Sequence, residues 1–219
     1  MATLAGAPVT QGWGTFLPDH ISLAVDNNAI GGRSARSFTR EGRFTAMAAE
    51  VASGDYVIIA FGHNDGGSLS TDNGRTDCGV VNNDYSTTCQ TTYNGVQETV
   101  QTYYTYLVNA VKLFQAKGAN VIVASQTSRN VWTDGTYGYT PSRFVGYARD
   151  VAAATGATFV DHGFYMAALY NKAGSTTVNS YYPNDQLHTS PAGAKVAARA
   201  FILGLDATNN SLKNYITKR

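Results

Sequence analysis

Charge is scarce in this sequence and nearly cancels: 16 basic residues face 15 acidic ones among 219, a formal net charge of +1. So balanced a chain generates no field suited to a phosphate backbone, which excludes nucleic acid as an expected partner. Apolar runs are short as well. None approaches the roughly 20 residues that a membrane-spanning helix needs, so no membrane partner is expected. The first residues, MATLAGAPVTQG, carry neither a basic start nor an apolar core of signal-peptide length. Repeats and low-complexity linkers are absent, and the length suits one domain over residues 1–219, expected to be a monomer.

Cysteine is limited to Cys78 and Cys89, inside the polar stretch TDCGVVNNDYSTTC. The polar composition implies an exposed loop, and two thiols so close on one predict a disulfide and an oxidising compartment; free loop thiols are the alternative. Zinc needs two further ligands, and no nearby histidine supplies a finger-like spacing, so neither a metal nor another cofactor is expected. What the chain has in quantity is glycine (22) and tyrosine (14), a balance typical of secreted, loop-rich proteins acting on glycans. Asn209-Asn210-Ser211 has the pattern of a glycosylation acceptor.

Apolar runs alternate with helical patterns, the signature of parallel βα units. Strands are predicted at Tyr56 to Phe61, Val121 to Ser125 and Thr158 to Val160, with a weaker one at Ile21 to Val25. A helix is predicted from Gln97 to Lys117, because Val100, Tyr104, Leu107, Val111 and Phe114 recur at steps of three and four. A second runs from Ser142 to Ala154, between Pro141 and Gly156, and a third opens at Ser190-Pro191 and runs toward Gly204. The expected architecture is a three-layer α/β domain, in which ligand chemistry gathers at the carboxyl ends of the strands.

Three segments fall where such chemistry belongs: NNAIGGRSARS (27–37), FGHNDGG (61–67) and YYPNDQLHTSPAG (181–193). In the last, Asp185 stands three residues before His188. A histidine serving as general base presents one ring nitrogen to the nucleophile, and a carboxylate on the other nitrogen fixes the tautomer and stabilises the imidazolium. The bland alternatives are a turn-capping aspartate and a surface imidazole.

Taken together, GGRS (31–34), GHND (62–65) and DQLH (185–188) resemble conserved blocks of the SGNH (GDSL-type) hydrolases. The likeness extends from about Gly12 to the final helix, and the wider text is similar to the branch that removes acetyl groups from pectic rhamnogalacturonan. The resemblance implies a flavodoxin-like sheet, a carbohydrate esterase, an acetylated pectic polysaccharide as substrate and an extracellular location. It also implies that the Gly32 N–H and the Asn64 amide form the oxyanion hole, with Asp185 and His188 as two triad members. Fixed donors of this kind each lower the barrier by roughly 2.7–4 kcal/mol. Cys78 and Cys89 sit where that family carries a loop disulfide.

The nucleophile is the departure. Family members place a Gly-Asp-Ser block at the end of the first strand, and that tripeptide occurs nowhere in this chain. The simplest alignment sets Met1 just after the serine, which implies an N-terminally truncated domain without its first central strand, its nucleophile or its export signal. Ser34 and Ser37 lie outside a nucleophile-elbow pattern. The expectation is a chain of very low esterase activity and poor stability, since an interior strand of about five apolar side chains, at roughly 1.5–3 kcal/mol each, rivals the net stability of a domain.

Arg33, Arg36, Arg40 and Arg43 crowd the segment after the oxyanion glycine; paired, structural arginines are the favoured reading and uronate contacts the other. Trp13, Tyr181 and Tyr182 offer sugar-stacking faces or plain packing. Two rival functions stand beside the esterase. One is a glycan-binding relative without catalysis; the other is a metal-dependent hydrolase using His63, Asp65, Asp161 and His162.

Overall fold

A computed structural model describes residues 9–219. Along the chain come helices α1 (Ala35–Arg40) and α2 (Arg43–Glu50), then strands β1 (Tyr56–Ala60), β2 (Thr88–Tyr93) and β3 (Val96–Gln101). Helix α3 (Tyr103–Gln115) and strands β4 (Asn120–Ala124), β5 (Trp132–Thr133) and β6 (Thr136–Tyr137) follow. The chain closes with α4 (Arg143–Thr155), β7 (Thr158–Val160), α5 (His162–Ala173), α6 (Ser175–Ser180) and α7 (Pro191–Asp206). These elements fall into two compact units. One holds residues 32–126 and 142–159; the other holds the described residues through Gly31, residues 127–141 and residues 160–219.

The first unit is α/β. Strands β1 and β4 pair in parallel, Tyr56 opposite Asn120 and Ala60 opposite Ala124, in a sheet ordered β1-β4-β7. A parallel pair needs a long crossover, and α3 lies within it. Four of the five β4 residues are buried, as a strand covered on both faces should be. Val57, Ile59, Leu107, Val111, Phe114, Val121 and Val123 share one core with Phe38, Phe44 and Val151. Helix α4 obeys its punctuation: Ser142 is its N-cap and Gly156, at φ +71°, its C-cap.

The predicted helix beginning at Gln97 is corrected. Residues Val96–Gln101 form β3, paired antiparallel with β2 through Asn94 (φ +50°) and Gly95 (φ +78°). An Asn-Gly pair at positive φ makes the tight hairpin turn that matches strand twist, and the β-branched Thr and Val around it favour extended backbone. The helix starts only where the Thr102 hydroxyl accepts the Thr105 N–H. The weak strand at Ile21–Val25 is corrected too: Ile21 makes a single antiparallel bridge to Ile216, and Ser22 N–H donates to the Tyr215 carbonyl. The segment alternates in burial like a strand but meets a partner at one end only.

In the second unit α7 packs on α5 and on a short 3-10 helix, Trp13–Asp19. Trp13 stands edge-on to His162 at 4.8 Å and stacks on Phe201 at 5.1 Å, so it is a packing residue. Tyr182 is buried and its hydroxyl donates to the Ser128 carbonyl. Helix α7 runs past Gly204 to Asp206: a Cβ at Gly204 would lie 2.7 Å from Val160 Cγ1, so that glycine permits close packing rather than ending the helix. Of the N-terminal stretch expected to follow a missing strand, residues 1–8 lie outside the described residues.

Candidate active site

Asp185 and His188 occupy the connection between α6 and α7, and backbone bonds pin that connection on both sides. Asn130 N–H donates to the Gln186 carbonyl, Gln11 N–H to that of Thr189, and Ser190 N–H to that of Tyr181. Ser190 and Pro191 then open α7 as N-cap and first-turn proline. Within the turn, Asp185 Oδ1 accepts the N–H groups of Leu187 and His188, each at 2.7 Å. The other oxygen, Oδ2, accepts from His188 Nδ1 at 2.7 Å. Partial burial works to raise the Asp185 pKa, but the His188 N–H, the His188 ring and the Leu187 N–H outweigh it and hold the carboxyl down at about 2. With Nδ1 donating to a carboxylate, a neutral ring carries its lone pair on Nε2, the arrangement a general base requires. Both side chains are about half exposed, 49% for His188 and 45% for Asp185.

Gly32 and Asn64 belong to the other unit. Gly32 sits at φ +76°, a backbone region that favours glycine. Asn64 follows β1 in a turn set by Gly62 (φ +137°), where a Cβ would lie 2.3 Å from Gln126 Oε1. Asn64 Nδ2 donates to the Arg33 carbonyl at 3.2 Å, and its Oδ1 accepts from Arg75 Nη1 at 3.1 Å. The amide is thus oriented from both ends, and it bridges the backbone after Gly32 to the loop around residue 75.

Beneath these groups lies Asp65, 1% exposed. Its Oδ1 accepts the Ala35 N–H at 2.7 Å and its Oδ2 the Gly62 N–H at 2.8 Å, so one carboxylate ties the start of α1 to the turn after β1. The Asp65 backbone carbonyl accepts the N–H of Asp77 at 2.9 Å, and both aspartates are buried. Burial raises both pKa values, and the neighbouring Asp65 charge raises that of Asp77 further. Backbone donors favour ionised Asp65, which leaves the proton on Asp77.

Sequence reasoning took Asp65 only as a possible metal ligand and passed over Asp77 and Arg75. No local spacing links Asp65 with Asp77, because their meeting depends on how the loop between them folds. The other members of the metal quartet are also engaged: Asp161 caps α5, His162 Nε2 donates to the Ala197 carbonyl at 2.7 Å, and His63 Nδ1 lies 3.3 Å from Gln126 Nε2. Among the described residues, no group of three or more His, Cys, Asp or Glu side chains is disposed to hold a metal ion.

The arginine-rich segment is structural. Arg36 is fully buried and reaches Asp72 and Glu98, each at 2.8 Å; Arg33 and Arg43 pair with Glu41, and Arg40 with Glu98 at 3.5 Å. Ser34 and Ser37 bond each other in the capping box of α1. Cys78 and Cys89 form the expected disulfide, with Cα atoms 5.4 Å apart, although Cys78 is buried rather than in an exposed loop.

Comparison with known proteins adds an independent line. The model of the family described as GDSL-like Lipase/Acylhydrolase matches residues 5–201. A rhamnogalacturonan acetylesterase of Emericella nidulans is 52% identical over 212 residues, covering 97% of this chain and 85% of that protein. A probable rhamnogalacturonan acetylesterase of Bacillus subtilis is 24% identical over 214 residues, covering 94% of this chain and 88% of that one. Among solved structures, a Bacillus subtilis protein superposes with a TM-score of 0.69 at 22% identity, covering 91% of this chain; the chain spans about half of that protein, 51%. An acetylxylan esterase from Geobacillus stearothermophilus gives a TM-score of 0.57 at 16% identity, covering 90% of this chain and 82% of its own. At these identities the solved structures speak for the fold.

Proposed function

Because the chain belongs to the GDSL-like lipase/acylhydrolase family, we propose that it is a carbohydrate esterase of the kind that removes acetyl groups from pectic rhamnogalacturonan. The observation that carries this reading is the Asp185–His188 pair: a carboxylate held ionised by two backbone N–H groups, on a ring whose Nδ1 it engages at 2.7 Å. His188 takes the proton of the attacking hydroxyl and returns it to the departing sugar oxygen, while Asp185 stabilises the imidazolium between the two steps. The Gly32 N–H and Asn64 Nδ2 are assigned to the oxyanion, on the strength of the family resemblance and of the fixed orientation of Asn64. The disulfide supports secretion into an oxidising medium.

These 219 residues contain no Gly-Asp-Ser tripeptide. The polypeptide by itself is therefore expected to show only the roughly 10³- to 10⁴-fold acceleration over water that binding and oxyanion stabilisation sustain in other serine hydrolases stripped of a triad member. The second reading is a glycan-binding protein without catalysis. The test is acetate release from acetylated rhamnogalacturonan by this polypeptide and by a version extended with an apolar strand ending in Gly-Asp-Ser. Esterase function predicts a rise of several orders of magnitude on extension, lost again in His188→Ala. Unchanged release after extension, with the oligosaccharide still bound, overturns the esterase in favour of the binding protein.

A further inference from the structure

Arg75 differs from the arginines around it. Arg33, Arg36, Arg40 and Arg43 each have a carboxylate partner. Among the described residues Arg75 has none: its guanidinium bonds the neutral Asn64 Oδ1 through Nη1 at 3.1 Å. Arg75 is partly exposed, so its guanidinium can be reached by an anion from solution. The same Nη1 stands 3.9 Å from the place a Cβ would occupy on Gly32. Arg75 therefore borders both groups assigned to the oxyanion, with Nε and Nη2 left as further donors in the planar fork that suits a carboxylate.

Its backbone is held in place. Arg75 N–H donates to Asn73 Oδ1 at 3.0 Å, and Gly74 N–H to Asp72 Oδ1 at 2.8 Å. Asp72 in turn is clamped by buried Arg36. Gly74, at φ +74°, lies so close to the Tyr93 ring that a Cβ there would come within 2.4 Å of it. The base of the Arg75 side chain is thus fixed before any ligand arrives, which reduces the entropy lost on binding.

We propose that Arg75 is a specificity-determining residue that binds the carboxylate of a uronate unit beside the acetyl ester, and so selects acidic acetylated glycans over neutral ones. This inference rests on the assignment of Gly32 and Asn64 to the oxyanion. A neutral acetylated backbone such as a xylan offers Arg75 no anion, whereas a galacturonate-containing backbone offers one on the sugar ring itself.

The experiment measures binding, so it does not depend on catalysis. A rhamnogalacturonan oligosaccharide and its carboxyl-reduced, neutral counterpart are titrated into the full chain and into Arg75→Gln, which keeps a donor for Asn64 while removing the charge. The wild-type protein is expected to prefer the acidic oligosaccharide by about 10- to 100-fold, the range of a charge-assisted hydrogen bond, and Arg75→Gln to lose that preference. In the unaltered protein, the Arg75 Nε resonance, identified by its disappearance in Arg75→Lys, should shift with the acidic ligand and stay in place with the reduced one. Equal wild-type affinity for both ligands, a preference that survives Arg75→Gln, or an unmoved Nε resonance overturns the proposal. Failure of acetate release alongside a charge preference carried by Arg75 would remove the esterase reading alone.

Discussion

Asp77 donates its N–H to the Asp65 carbonyl at 2.9 Å in the interior of the protein, and the Asp65 carboxylate anchors the Ala35 and Gly62 N–H groups. That anchor joins the two segments carrying Gly32 and Asn64. A buried polar pair of this kind stabilises only while its proton stays, because two neighbouring like charges repel strongly in a medium of low dielectric.

The pair makes stability depend on pH in a defined direction. Its carboxyls titrate near 3.8 when unfolded, and burial raises both in the folded state, Asp65 to about 6 and Asp77 further. Between those limits the folded protein binds more protons than the unfolded chain, so this contribution to the unfolding free energy falls as pH rises. Asp77→Asn keeps the shape of the side chain and removes its titrating carboxyl. Urea titrations from pH 5 to 8 should show a decline in the wild-type protein that is shallower in the variant, by on the order of 1–3 kcal/mol. Parallel curves for the two proteins would contradict a proton kept on Asp77.

Asp185 acts with the opposite sign. Its folded pKa lies at about 2, below the ordinary 3.8, so its contribution is complete above about pH 4 and is lost as pH falls toward 2. At nearly half exposure, solvent screening limits the effect to less than about 1 kcal/mol. Asp185→Asn keeps an acceptor for the Leu187 and His188 N–H groups and removes the charge. Its stability profile should lack that part of the acid limb, as read by thermal unfolding at pH 2, 3 and 4; an unchanged limb would place the titrating group elsewhere.

Reduction of the Cys78–Cys89 bond frees a short loop, the two residues being 11 apart in sequence. Chain entropy of that size corresponds to about 2–4 kcal/mol. The urea midpoint should fall accordingly in a reducing buffer, and Cys78→Ala with Cys89→Ala should reproduce the fall. A double variant as stable as the parent would show the loop to be held by other contacts, such as the Cys78 N–H to Gln101 carbonyl bond.

What the sequence made legible was local. Asp185 and His188 stand within one turn, so their carboxylate–imidazole contact follows from spacing; β1, β4, α4 and the start of α7 follow from apolar runs and helix punctuation. The β2–β3 hairpin was concealed by a coincidence of periods, since Val100 continues backward the three-four spacing of α3 although its residue lies in a strand. The Asn94-Gly95 pair among β-branched residues was the available signal. Arg75 against Asn64, and Asp65 against Asp77, were not readable, because each contact is made by a loop returning on itself with no periodicity to announce it.

Arg36 gives the most demanding test of the first unit. Its guanidinium, fully buried, donates to both oxygens of Asp72 (2.9 and 2.8 Å), to both oxygens of Glu98 (3.1 and 2.8 Å) and to the Thr76 carbonyl at 2.8 Å. The fork thereby ties α1 to β3 and to the loop that leads to Arg75. Arg36→Met keeps much of the volume but strands the Asp72 carboxylate in the interior, at a cost of about 3–5 kcal/mol. Arg36→Lys should recover little of this, because a single ammonium group cannot span two carboxylates and a carbonyl at once. Adding Asp72→Asn to Arg36→Met should restore part of the stability by removing the stranded charge, and the non-additivity, measured by urea unfolding of the four proteins, reports the coupling. Additive effects would mean that the two side chains act independently despite their contact, and the loop carrying Arg75 would then need another anchor.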